Sequence, residues 1–264
     1  MIGAIIGDIA GSRFEWNNYR AKDFELMVDE CFFTDDSVMT IAIGEAIRRT
    51  GGNYDRLKEE TIKAMQEIGR PYPHCGYGGS FFSWIYADEP KPYNSFGNGA
   101  AMRVSACWEA ASNLEEAKHL SYVVTAVSHN HPEGLKGAEA TVVAAFMARQ
   151  GASMDEIRNM INENYYKLNF TLNSIRDTYE FNETCQDTVS QAIEAFWEST
   201  DFKDAIRNAV SVGGDSDTLA AITGTIAEAY YGVPKALQDR AFHFLDARLT
   251  KKLLDFEMFV SREA

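Results

Sequence analysis

The chain has 264 residues, of which 45% are hydrophobic and 24% charged; this is ordinary for a folded globular protein and excludes disorder of the whole. Its formal net charge of −14 repels nucleic-acid phosphates and anionic lipid, so neither is an expected partner. Cys31, Cys75, Cys107 and Cys185 form no Cys-x-x-Cys pair and no zinc-like Cys/His spacing, and are expected as free thiols in a reducing cytoplasm.

The opening residues, MIGAIIGDIAGSRFEW, lack a basic start, and Asp8 interrupts the apolar run; no signal peptide is expected. No stretch approaches the ~20 apolar residues of a membrane span. From there helical periodicity dominates. Segment 1–10 is apolar on more than one face. Segment 36–50 carries Val38, Ile41, Ala42 and Ala46 at helical steps and stops at Gly51-Gly52. Segment 54–69 follows, with Leu57, Ile62, Met65 and Ile68. Residues 70–98 are rich in Gly and Pro, and a short apolar helix (FFSWIYA) lies between two glycine clusters. Helical patterns then cover 114–128, 132–150 (opened by Pro132), 153–165, 186–199, 201–212, 217–231 and 235–247. Segment 219–227 (LAAITGTIA) has almost no polar side, which places it at the centre of a bundle. No hairpin signal joins alternating segments. The expected fold is all-α, a compact orthogonal multi-helix bundle, with one domain over 1–264.

Two acidic clusters stand at helix starts: Thr34-Asp35-Asp36, and Asp215-Ser216-Asp217-Thr218 after Gly213-Gly214. In a regular helix, residues two apart are rotated by ~200°. Asp215 and Asp217 therefore converge only where the backbone is not yet helical, which the two glycines permit; the helix is expected to begin near Thr218. Hard divalent cations want several oxygen ligands, and two such clusters from opposite ends of the chain supply them. Helix capping is the competing reading of each cluster taken alone.

Gly76-Tyr77-Gly78-Gly79-Ser80 leads into the short apolar helix. Backbone N–H groups at such a start attract anions, although taken alone the glycines read better as a tight turn. It is neither a Walker A loop nor a Rossmann fingerprint. Ser95-Phe96-Gly97-Asn98-Gly99, running on to Met102, pairs small residues with an aromatic ring suited to stacking; a helix start capped by Asn98 is the alternative. Glu15 alone reads as a surface residue, and His129 alone as a structural hydrogen-bonder.

Assembled, these motifs resemble the ADP-ribosylglycohydrolase family: Gly7-Asp8-x-x-Gly11 with Glu15, Thr34-Asp35-Asp36-Ser37, Gly76-Tyr77-Gly78-Gly79, SFGNGAAMRV at 95–104, Ser128-His129, and Gly213 to Thr218. They follow family order across residues 3–232. The resemblance implies two Mg²⁺ ions (Mn²⁺ as an alternative), with Thr34, Asp35, Asp36, Asp215, Asp217 and Thr218 as ligands and Asp8 supporting them from behind. It implies a diphosphate cradle at Gly76, Gly78, Gly79 and Ser80, and ADP-ribose contacts from Ser95, Phe96, Gly97, Asn98, Gly99, Met102 and His129. The stretch GYGGS lacks the acid that arginine-specific members carry. The pattern is closer to serine-type ADP-ribosyl hydrolases, in which a glutamate matching Glu15 is catalytic.

The expected activity is removal of ADP-ribose from a modified protein or a small ADP-ribosyl conjugate, by cleavage at C1″ of the distal ribose. A catalytically silent ADP-ribose-binding protein is the alternative. A helical phosphohydrolase is a weaker one, since no His-Asp dipeptide occurs.

Overall fold

The computed structural model describes residues 1–263. Among them are 14 α-helices, two short 3₁₀ turns and no β-sheet, which is the expected all-α class. Its centre is the pair α1 (Ile2–Gly11) and α12 (Ser216–Tyr231). Every residue of α1 is buried, as is α12 from Ser216 to Ala227, in keeping with their lack of a polar face.

The two helices meet on glycine. A Cβ on Gly3 would lie 2.4 Å from the Gly224 carbonyl oxygen, one on Gly7 2.0 Å from that of Ala220, and one on Gly11 2.5 Å from the Asp217 Cα. Spacing of four keeps the three glycines on one face of α1. The pairing runs antiparallel, so the C-terminal end of α1 lies against the N-terminal end of α12.

Helix α2 (Asp35–Thr50) also runs antiparallel to α1. Its Gly44 packs on Met1, while the Thr34 and Ser37 amides donate to Asp8 near the other end of α1. Three helix ends therefore converge: the end of α1 and the starts of α2 and α12. Around this centre lie α3 (Leu57–Gly69), α4 (Gly79–Tyr86), α5 (Ser105–Ala110), α6 (Leu114–Ala126), α7 (Pro132–Arg149), α8 (Met154–Asn164), α9 (Leu172–Ile175), α10 (Cys185–Trp197), α11 (Phe202–Val212), α13 (Lys235–Phe242) and α14 (Ala247–Glu263). Buried apolar residues from Met1 to Phe256 form one contiguous cluster. Among the described residues, no helix is long and apolar enough to cross a membrane.

Several boundaries differ from the sequence reading. α12 begins at Ser216 rather than near Thr218, and α2 takes in Asp35. α5 and α9 escape periodicity because they are only 6 and 4 residues long. α14 also went unread, because charged residues interrupt it. Its buried face is Leu249, Leu253 and Phe256, and Phe256 packs close to Gly44 of α2. The four cysteines are free thiols.

The glycine contact gives a stability test. Gly7→Ala is expected to lose at least about 2 kcal/mol in urea denaturation, because backbone lies where its methyl must go. Gly78→Ala, at φ −58° with nothing within 4 Å of the added atom, is expected to stay within about 0.5 kcal/mol of the parent. Equal losses from both substitutions would disprove the tight α1–α12 contact.

Candidate functional site

The converging helix ends form the floor of a cavity of about 410 Å³. It is lined by Glu15, Thr34, Asp35, Asp36, Gly76, Gly78, Gly79, Ser80, Ser95, Gly97, Asn98, Gly99, Met102, His129, Asp215, Asp217 and Thr218. Of the residues singled out from sequence, only Phe96 and Asp8 stand outside that lining.

Asp8 lies beneath the floor, fully buried on α1. Its carboxylate accepts from Thr34 N at 3.0 Å, Thr34 Oγ1 at 2.7 Å, Ser37 N at 3.0 Å and the Ser37 hydroxyl. Asp8 thereby joins the end of α1 to the first turn of α2. Thr34 is also the N-cap of α2, its hydroxyl accepting from Asp36 N at 3.3 Å. The capping reading thus holds for Thr34, in the same geometry that turns Asp36 into the cavity.

Capping does not account for the second cluster. Asp215 occupies the N-cap position of α12 but makes no side-chain cap bond. Its Oδ2 instead accepts from Asn98 Nδ2 at 2.7 Å. Its backbone (φ −75°, ψ 74°) is non-helical, so only one of the two aspartates need lie outside the helix for them to converge. Gly213 and Gly214 before it have φ of 79° and 71°, the left-handed region that favours glycine. Asn18 holds that turn, accepting from Gly214 N at 2.9 Å and donating to Gly214 O at 3.1 Å. It thereby ties the turn to the loop that carries Glu15.

Glu15, Asp215 and Asp217 can each place a carboxylate oxygen within 4.8 Å of the others. Thr218 Oγ1 donates to Asp36 Oδ2 at 3.2 Å and links the two clusters. Asp36 Oδ1 and Asp217 Oδ1 are buried with no protein donor. Burial and mutual repulsion push these acids up. The Asp35, Asp36 and Asp217 carboxyls rise well above the usual carboxylate range, mainly by burial and then by neighbouring aspartates. Asp215 is raised to about 6 by burial, against hydrogen bonds from Asp217 and Asn98 that lower it. Glu15 is pushed up to about 7, by burial first and the Asp217 charge second. A nest of buried carboxylates with orphaned oxygens is a donor set that divalent cations fit.

The glycine loop forms one wall. Gly76, at φ 118°, sits so that a Cβ would lie 2.7 Å from Asp35 Oδ1. Gly78 and Gly79 face open space, and α4 starts there with no side-chain cap. The first-turn N–H groups of α4 are thus available to a ligand. Opposite, Gly97 and Gly99 lie close to His129 Nε2. Asn98 Nδ2 donates to Asp215 and Thr188, so this side chain of the lining also orients an acid. Phe96 lines an adjoining cavity with Phe181 and meets His131 edge-on at 5.2 Å.

Three lining residues stood in no motif, Phe81, Tyr93 and Glu183, and a fourth, Arg103, stood in the SFGNGAAMRV motif without an assigned role. Arg103 is fully buried, the largest side chain so enclosed, and no sequence signal marks a buried arginine without a carboxylate partner. Trp16, beside Glu15, is 80% exposed and stacks on Phe181 at 5.0 Å.

The raised carboxyls predict how metal-free protein responds to pH. Groups whose folded pKa exceeds the unfolded one stabilise the fold below the unfolded value, and that stability is lost as pH rises through the folded value. For Asp215 and Glu15 the window runs from about pH 4 to about pH 7. Glu194, raised to about 7, adds the same sign, whereas His129, pushed down by burial, opposes it. The contribution of the site is therefore read by difference. In chelator at pH 7, Asp217→Asn is expected to unfold at a higher temperature than the parent, and the gap is expected to narrow at pH 5. A gap independent of pH would show that Asp217 is not held in a repulsive nest.

Comparison with known proteins gives the chain a family and a fold. The family described as ADP-ribosylglycohydrolase matches residues 1–255. The ADP-ribosylarginine hydrolase Tri1 of Pseudomonas putida (strain GB-1) is 28% identical over 176 residues, covering 60% of this chain and 46% of that protein. Against that relative, the matched region spans about half the length. The ADP-ribosylhydrolase ARH3 of Mus musculus is 23% identical over 317 aligned residues, covering 90% of this chain and 85% of that one. A solved structure described as an ADP-ribosylglycohydrolase-related protein complex superposes with a TM-score of 0.72 at 21% identity, covering 98% of this chain and 94% of that one; this likeness speaks to the fold. With the family match running through both aspartate clusters and every glycine loop, this chain belongs to the ADP-ribosylglycohydrolase family.

Proposed function

We propose that the protein is a divalent-metal-dependent hydrolase that removes ADP-ribose from a modified protein side chain or a small ADP-ribosyl conjugate, cutting at C1″ of the distal ribose. The observation that carries this reading is the buried carboxylate nest at the cavity floor, with the orphaned oxygens of Asp36 and Asp217 facing a glycine loop open to an anion. The names of the relatives, an ADP-ribosylarginine hydrolase and an ADP-ribosylhydrolase, support the substrate class. The four free thiols support a reducing, cytoplasmic setting.

Thr34, Asp35, Asp36, Asp215, Asp217 and Thr218 would hold two Mg²⁺ ions, with Mn²⁺ as the alternative. When bound, such ions neutralise the nest and polarise the ribose hydroxyls. The rest falls to the chain's own groups. Diphosphate oxygens take hydrogen bonds from backbone N–H groups at Gly79 and Ser80. Phe96 offers a face to the adenine. Asn98 and Asp8 hold their acids in place. The bond from C1″ to the target breaks with its electron pair leaving on the target atom, through an oxocarbenium-like state. A water oxygen bonds to C1″, one of its protons is released, and the target gains one. Glu15, which lines the cavity beside Asp215 and Asp217, moves one of those protons.

Asp36→Asn and Asp217→Asn are each expected to abolish turnover and to weaken Mg²⁺ binding in calorimetry; unaltered binding would remove the metal reading. Glu15→Gln is expected to keep ADP-ribose affinity within about threefold while turnover falls by roughly 10²-fold or more. The deciding experiment is a panel of serine-linked, arginine-linked, base-linked and ester-linked ADP-ribose, assayed for free ADP-ribose with Mg²⁺ and with chelator. Tight ADP-ribose binding with no release from any of them would instead identify a silent binding protein.

A further inference from the structure

Behind the cavity, the Arg103 guanidinium is enclosed, with the Asp35 charge acting on it from beyond ion-pair distance. Among the described residues it makes no ion pair, and its Nε and Nη1 are buried with no acceptor. Burial lowers it only to about 10, so it stays charged. Its Nη2 donates to Ser128 Oγ at 2.7 Å and lies 3.4 Å from His129 Nδ1, while Ser128 Oγ lies 2.9 Å from the same Nδ1.

This triangle dictates where the protons lie. A guanidinium N–H can only donate. Ser128 Oγ accepts from it, so the serine's own proton is free to point at Nδ1. A proton on Nδ1 would face the Arg103 N–H at 3.4 Å, which can only donate, whereas a bare Nδ1 can take the serine's proton; the arrangement favours Nδ1 as the acceptor. A second proton on the ring is disfavoured by burial and by the Arg103 charge, which together push His129 well below its usual range. The other neighbours supply no competing charge: Tyr93 packs edge-on at 5.5 Å and Phe81 tilts at 6.1 Å, and burial holds the Tyr93 phenol neutral. Nε2 remains. A Cβ on Gly99 would lie 3.3 Å from Nε2 and one on Gly97 3.7 Å, so that edge of the ring faces the glycine loop of the cavity. Among the described residues, no protein acceptor meets it.

We propose that Arg103 and Ser128 are positioning residues that lock His129 as a neutral Nε2–H donor, presented together with the buried Arg103 charge to an anionic oxygen of the ligand. The choice of ligand, the diphosphate of ADP-ribose, rests on the function proposed above; the locked tautomer does not.

Two measurements test this. In ¹⁵N-resolved NMR of the ligand-free protein, His129 should show a protonated Nε2 and a bare Nδ1 throughout pH 5.5–8 (roughly a unit or more either side of an ordinary histidine). A bare Nε2, or titration near the ordinary value, would overturn the proposal. Arg103→Met should yield a mixed or titrating ring. If that variant does not fold, Ser128→Ala carries the same test, and a ring still locked in every variant that folds would overturn the roles of both residues. By calorimetry, His129→Ala and Arg103→Met should each weaken ADP-ribose binding about tenfold. The double variant should lose less than the sum of the two, because the His129 hydrogen bond is counted in both; fully additive losses would contradict the relay. If the parent protein has the locked ring but does not bind ADP-ribose, the positioning role stands and the functional reading fails.

Discussion

Everything at the site depends on how closely α1 approaches α12. Gly3, Gly7 and Gly11 leave the backbones in contact with no intervening side chain. Such an approach fixes both spacing and register, because any slide brings a Cβ or carbonyl into collision. Register here has a chemical consequence. It sets Gly11 against Asp217, and so places Asp8 and the loop bearing Glu15 at the start of α12. α2 is then positioned by its own first turn, through Asp8. Three helix ends from remote parts of the chain are thus brought to one point by packing and by one buried carboxylate.

That point is electrostatically unfavourable on its own. Asp35, Asp36, Asp215 and Asp217 gather with Glu15 at one end of the cavity, and each is pushed toward its neutral form by burial and by the others. Helix starts soften this, since the positive ends of α2 and α12 both face the acids. Asn98 and Thr218 each satisfy one oxygen. The remaining orphaned oxygens mark where the fold departs from good packing rules, and such departures concentrate at functional sites. The opposite sign is stored a short way off, in Arg103. A cavity with acids at one end and an enclosed guanidinium behind the other suits a ligand with an anionic segment and a neutral, hydroxyl-bearing one.

The candidate site was legible in sequence to an unusual degree, and the reason is geometric. Its acidic groups sit at helix starts, where glycines, threonines and aspartates are clustered in sequence as well as in space. Glu15, Asp215 and Asp217 were singled out separately, and the structure places them within reach of one another. Legibility failed where a role depends on partners far along the chain. Asn98 lines the cavity as expected, but nothing in sequence indicated that it also holds Asp215, 117 positions away. Asn18 had no signal, although it clamps the turn that lets Asp215 leave the helix.

Helix content, the apolar central segments and the chemistry of the two aspartate clusters were determined by the sequence itself, because periodicity, capping residues and glycine placement are local properties. Tertiary structure decided which ends meet, which acids are buried together and how far each is pushed from its ordinary titration range. It also decided that Arg103, to which the motif SFGNGAAMRV gave no role, lies enclosed behind His129. Local rules specify a helix and its first turn. Desolvation and charge repulsion depend on what the rest of the chain places within a few ångströms, and that is set only by packing.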